Sequence, residues 1–219
     1  MKANSKTMAE YTLYCFAQSG NAYKAALCLE LSAADWAPRF VDFFQGETKT
    51  PAYRQINVMG EVPVLEHWGL RLSQSGAILE FLSEQLKVFG AGNPAEKREI
   101  LRWLLWDNHK LTSYTATYRF MRRFSPNPDK NVMTVFLQRA QAAWKVLDAH
   151  LQGRQFVVGN QMTIADLSLC GYLFWDDELG VDWKLFPHID AWLSRIRNMP
   201  RWKHPYQLMP GHPLAANRN

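Results

Sequence analysis

From Tyr11 the chain runs YTLYCF, an alternating stretch rich in β-formers, breaks at AQSGN, and resumes as AYKAALCLELSA with apolar positions at helical spacing. RFVDFF reads as a second strand, and TPAYRQI as a short helix whose Pro51 suits a first-turn position. VPVLEHWGLRL reads as a hairpin turning near Trp68-Gly69, and SQSGAILEFLSEQL as an amphipathic helix. The order βαβαββα predicts a mixed α/β domain over residues 9–87. KVFGAGNPAEK, with its Gly and Pro residues, marks a linker over 88–94. Beyond it the strand signals vanish. PAEKREILRWLLWDNHKLTSYTATYRFMRRF, KNVMTVFLQRAQAAWKVLDAHL, TIADLSLCGYLFWDDEL and FPHIDAWLSRIRNM predict four helical stretches, hence an all-helical domain over 95–208 and a loose tail after Met209.

Two domains suit a chain of 219 residues, and 47% hydrophobic with 21% charged residues is ordinary for a globular protein. No apolar run approaches the roughly 18 residues that a membrane helix requires. The polar start MKANSKTMAE lacks an apolar signal core, so a cytoplasmic location is expected and a membrane association is not. Cys15, Cys28 and Cys170 stand alone, and the six histidines are scattered singly, which points away from a disulfide framework and from a metal site. The net charge of +5 is uneven: residues 1–87 carry 8 basic and 9 acidic side chains, residues 88–219 carry 17 and 11. Without a nucleic-acid motif, that modest excess suits an anionic small molecule at least as well as a nucleic acid.

Two short stretches depart from the cheapest way to build a fold. Pro63 has no N–H to give a ladder, so it is awkward in a strand unless the bond before it is cis and turns the chain outward; that turn leaves the N–H and C=O of Val62 free to pair with a peptide-like ligand. The competing reading is an ordinary trans proline at a sheet edge. Gln74 and Ser75 stand at a helix start, where free N–H groups and a partial positive charge attract a carboxylate. Capping by Ser73 or Ser75 is the plainer reading there.

The first strand, SGNAYKAAL, EVPVL, QSGAILEFL and TIADLSL, in this order and spacing, resemble the cytosolic glutathione transferases over nearly the whole chain. The resemblance implies a thioredoxin-like N-terminal domain that binds glutathione as co-substrate, a helical C-terminal domain that supplies the pocket for a small hydrophobic electrophile, and a homodimer. It assigns Val62, before Pro63, to the cysteinyl unit of glutathione, and Gln74 with Ser75 to the γ-glutamyl end. Lys49 falls in the loop where the family often places a partner for the glycine carboxylate. Glu61 stands where related sequences often have Lys or Gln, and an acidic side chain there suits an ammonium group instead. The cysteines of a redox loop are replaced by Ser19 and Ala22, so disulfide exchange is not expected. Ser19 is then the candidate hydroxyl for the glutathione sulfur, with Asn21 second and simple helix capping by Ser19 as the competing reading. The loop resembles the zeta class, except that its serine-serine-cysteine run is here Ser19-Gly20-Asn21, which argues against zeta-type isomerase activity.

Conjugation in detoxification is the leading expectation. A glutathione-dependent isomerase or dehalogenase, and a non-catalytic binding or scaffold protein of the same fold, are its rivals. Tyr114, Tyr118 and Arg122 recur at i, i+4 and i+8 and can share a helix face, either as an acceptor pocket with a cationic end or as a core-facing aromatic pair. Trp103 and Trp106 are assigned to packing or a dimer surface. Thr163 with Asp166 has capping-box spacing, so Asp166 is read as structural.

Overall fold

Leu13 and Cys15 have no exposed surface. The strand that carries them, β1 (Tyr11–Cys15), is central to the sheet in the computed structural model, which describes residues 9–214. β2 (Trp36–Phe40) pairs parallel to β1, while β3 (Val64–His67) and β4 (Leu70–Ser73) continue antiparallel on its other side. α1 (Gly20–Leu31) crosses between β1 and β2, α2 (Pro51–Ile56) precedes β3, and α3 (Ser75–Leu86) follows β4. This is a thioredoxin-like βαβαββα unit.

The helical domain begins with α4 (Pro94–Trp106), which passes through one π-helical turn (Asp107–Leu111) into α5 (Thr112–Phe124). α6 (Lys130–Leu151), α7 (Ile164–Leu169), α8 (Asp176–Leu179), α9 (Pro187–Arg197) and α10 (Pro205–Leu208) complete it. At α7 the Thr163 and Asp166 capping box is formed, and Asp166 also accepts from the Val157 N–H and Trp192 Nε1. Its role is structural, as its spacing implies.

Three elements differ from the sequence expectation. β2 lies earlier than RFVDFF and includes Pro38, which an edge strand tolerates; Phe43 and Phe44 are released into a loop. The third helical stretch breaks at Gly171, where a Cβ would lie 2.6 Å from Cγ and Cε of Lys24. Of the tail expected to be loose, residues 210–212 are anchored: the Ala17 N–H donates to Pro210 O (2.7 Å), Gln18 Nε2 to Gly211 O (2.9 Å), and His212 stacks on Tyr206, while 215–219 lie outside the described residues.

Lys24 explains how the two domains meet. It projects from α1 into the helical domain, where its Nζ donates to Asp107 Oδ2 at 2.7 Å and to Thr112 Oγ1 at 2.9 Å, both ion-pair side chains being 1% exposed. Asp107 also accepts from Ser168 on α7 (2.6 Å) and from Thr112 (2.8 Å). The π-helical turn sits where Asp107 is drawn into this network. Charges so far from water are tolerable only when each is paired and hydrogen-bonded, so removing one partner strands the other.

Lys24→Met and Asp107→Leu should therefore each lower the unfolding free energy by about 3–5 kcal/mol, and the double variant should recover most of that loss. Urea titration followed by tryptophan fluorescence tests this; single variants as stable as wild type would refute it.

Candidate functional site

A cleft of about 700 Å³ runs between the domains, and the starts of α1 and α3 meet on its sheet-side wall. At α1, Ser19 is the N-cap: its Oγ accepts from the Ala22 N–H at 3.2 Å, which fixes the hydroxyl at the end of the β1–α1 loop. That loop is clamped from the other domain. Arg119 on α5 donates from Nη1 to Gln18 O (2.8 Å) and from Nε to Glu178 (2.8 Å), with its guanidinium 3.9 Å over the Trp175 ring. Asn21 faces α3 and accepts from Ser75 Oγ at 3.4 Å.

Beside the α3 start, on the same domain, lies a braced loop. The Glu61 carbonyl accepts from Tyr53 Oη (3.0 Å) and Asn57 Nδ2 (2.9 Å), and Arg54 holds the Val58 carbonyl at 2.7 Å. The Val62–Pro63 bond is cis. Among the described residues, neither the N–H nor the C=O of Val62 has a protein partner, although Val62 lines the cleft.

α3 has an open start. Its N-cap, Gln74, sits at φ +70° and makes no side-chain cap, so capping by Ser73 or Ser75 is not what is found. The N–H groups of Ser75, Gly76 and Ala77 have no acceptor among the described residues, whereas α1, α2, α4, α6 and α7 are each closed by a side chain. The Gln74 amide instead approaches Met59 Sδ (3.1 Å) and Glu61 Oε2 (3.4 Å). Ser75, Gly76 and Ala77 line an adjoining cavity of about 660 Å³, which shares Gln74 and Asn108 with the cleft; a helix start with free N–H groups at such a cavity is an anion-binding geometry.

Ser19, Asn21, Glu61, Val62, Pro63, Gln74 and Ser75 are thus brought to one neighbourhood. Lys49 is not: it is exposed on a 3₁₀ turn (Glu47–Lys49) and absent from the cleft lining. The expected acceptor residues also face elsewhere. Tyr114 packs on Phe136 of α6, Tyr118 is buried beside Trp144, and Arg122 donates to Glu178 O. The row does share a face, but that face is the one α5 turns toward α6 and α8. The cleft face, offset by a fraction of a turn, carries Ser113, Thr117, Phe120 and Phe124.

Those phenylalanines meet the loop that follows β2. Phe16 stacks on Phe43 (4.8 Å between centroids), Phe43 meets Phe120 edge-on (6.5 Å), and Phe44 meets Phe124 (5.4 Å). This wall was missed by sequence reasoning, although the FF pair and the i, i+4 spacing of Phe120 and Phe124 were signals for it. Arg119 and Tyr172, which also line the cleft, left no local signal. Cys15 is sealed under the site, and burial pushes its thiol up to about 12, so it is no nucleophile at neutral pH.

Known proteins share this two-domain fold. The glutathione S-transferase N-terminal domain matches residues 9–84 and the C-terminal domain residues 115–200. A glutathione S-transferase structure from Pseudomonas fluorescens Pf-5 is 30% identical with a TM-score of 0.85, covering 90% of this chain and 99% of that one. A possible glutathione S-transferase from Rhodopseudomonas palustris is 31% identical with a TM-score of 0.80, covering 90% and 98%. Glutathione S-transferase F14 of Arabidopsis thaliana is 25% identical over 87% of this chain and 80% of its own. The chain belongs to the glutathione S-transferase family.

One local constraint is directly testable. A Cβ on Gly20 would lie 2.4 Å from the Tyr172 ring. Gly20→Ala should cost about 1–3 kcal/mol through overpacking, read as a lower urea midpoint; an unchanged midpoint would show that the ring is free to move aside.

Proposed function

We propose that this chain binds glutathione along the cleft and joins its thiolate to an apolar aromatic electrophile. The observation that carries this reading is the open start of α3 beside the unpartnered main chain of Val62. The γ-glutamyl carboxylate is held by the N–H groups of Ser75, Gly76 and Ala77, and the cysteinyl unit pairs with Val62 as an added strand. Glu61, beside the Gln74 amide, receives the γ-glutamyl ammonium. The sulfur then lies at the start of α1. Ser19 Oγ accepts from Ala22, which orients the hydroxyl, and its proton turns to the sulfur when that is bound; a hydrogen bond to the charged form favours thiolate over thiol. The Asn21 amide is the second candidate for that role.

Attack forms the sulfur–carbon bond while the leaving group departs with its electron pair, and the thiol proton passes to solvent. The five phenylalanines of the cleft supply an electrophile site from both domains, and with Arg122 tied to Glu178 they argue for a neutral aromatic substrate in place of an anionic one. The protein acts as a homodimer on this reading. Leu101 and Leu105, one turn apart on α4, are 55% and 65% exposed and form an apolar strip suited to a second copy.

Calorimetry should show glutathione binding, and a chlorodinitrobenzene should be conjugated with absorbance of the thioether as readout. Ser19→Ala should raise the pKa of the bound thiol by roughly one to two units while affinity stays nearly the same, because the binding contacts lie elsewhere. If the bound-thiol pKa and the rate are both untouched, Ser19 only caps α1. Light scattering at micromolar concentration should report a dimer, and Leu101→Glu with Leu105→Glu should shift it to a monomer.

A further inference from the structure

We propose that Tyr172, which the helical domain sends to the start of α1, is a second hydroxyl at the thiol end of the cleft and donates a hydrogen bond to the glutathione sulfur. The proposal rests on the reading of the cleft as a glutathione site. Its first support is the close approach of two elements far apart in sequence: an ideal Cβ on Gly20 would stand 2.4 Å from Tyr172 Cδ2 and 2.5 Å from Cγ and Cε2. The first residue of α1 lacks a side chain, and the phenol ring occupies the space that this leaves. Tyr172 lines the same cavity as Ser19 and Asn21.

The second support is what the hydroxyl does not do. Tyr14, Tyr23, Tyr53 and Tyr206 each commit their hydroxyl to a protein acceptor, respectively Glu66, Lys203 O, Glu61 O and Glu178. The Tyr172 hydroxyl completes no such bond among the described residues, while the Ser19 hydroxyl and the N–H groups of Gly20 and Asn21 lie near enough to act on it. A phenol held rigidly over a helix start, with its proton uncommitted, is placed as a donor toward the cleft.

Its chemistry is that of a donor and not of a base. Burial pushes the Tyr172 hydroxyl up from its ordinary value, against the pull of Arg119 and the α1 N–H groups, so the phenol keeps its proton at neutral pH. When the bound thiol ionises, its proton leaves to solvent and the phenol O–H points at the sulfur anion. As the sulfur–carbon bond forms, the anion is consumed, the hydrogen bond weakens, and the phenol retains its proton throughout.

Tyr172→Phe keeps the ring over Gly20 and removes only the donor. With glutathione bound, thiolate absorbance titration should give a thiol pKa raised by about one unit, and conjugation below that pKa should slow about tenfold, with calorimetric affinity for glutathione nearly unchanged. A merely structural role would leave the pKa of the bound thiol in place. If Tyr172→Phe binds glutathione and titrates as wild type does, the assignment of Tyr172 is overturned while the glutathione reading stands. If the wild-type protein itself fails to bind glutathione, both are overturned together.

Discussion

The buried pair of Lys24 and Asp107 is the constraint on which the arrangement of the two domains depends. Lys24 lies on α1, the helix whose first turn also carries Ser19, Gly20 and Asn21, so fixing its far reach into the helical domain fixes the orientation of that first turn. Thr112 and Ser168 bring α5 and α7 to the same carboxylate. A pair this deep is a poor source of net stability, because the desolvation of both ions offsets much of their attraction. What it supplies is registry: any slide of one domain along the other leaves an unpaired charge in an apolar interior, which no alternative packing can accommodate. The gap left by Gly171 for the Lys24 stem shows that the surrounding chain is shaped around this pair.

With registry set, the cleft can be built largely from main chain. The free Val62 groups and the open start of α3 are backbone features, and the side chains around them serve to hold that backbone still. Tyr53, Asn57 and Arg54 brace the loop before Pro63, while Arg119 braces the one before Ser19. Main-chain recognition of this kind suits a peptide-like molecule, whose own N–H and C=O groups form the complementary ladder. The positive φ of Gln74 belongs to the same pattern: a non-glycine residue held there marks a place where the surrounding structure imposes its geometry.

These backbone features were also the legible ones. A proline in a strand and a Gln-Ser pair at a helix start are local departures from cheap chain geometry, visible without knowing any tertiary contact. Side-chain direction was less legible. The spacing of Tyr114, Tyr118 and Arg122 states that they share a face of α5 but not which neighbour that face meets, and the burial of Tyr118 against α6 decides the matter. Ser73 and Ser75 looked like caps by residue type, yet the chain turns at Gln74 so that neither hydroxyl reaches back to the helix start. Tyr172 was invisible for a different reason: its significance depends on the missing Cβ of Gly20, which lies in the other domain. The same holds for the segment after Met209, whose anchors are Ala17 and Gln18 on the β1–α1 loop.

The placement of polar and aromatic groups then divides the cleft into two environments. Hydroxyls and the start of α1 gather at one end, where negative charge on sulfur would be stabilised by groups already oriented, and the Arg119 guanidinium reaches from there to within 5.3 Å of the Phe124 ring. Phe16, Phe43, Phe44, Phe120 and Phe124 gather at the other end, where an aromatic surface is buried without demanding a hydrogen bond. The boundary runs through residues 16 to 19, so four consecutive residues of the β1–α1 loop carry the transition from apolar wall to charged end. Arg119 holds this loop at the Gln18 carbonyl, and Pro210 holds it at the Ala17 N–H. On the proposed function, a nucleophile and an electrophile on either side of so short a boundary would be held within reach of each other by one rigid loop, which is the condition for converting an encounter in solution into a reaction between positioned neighbours.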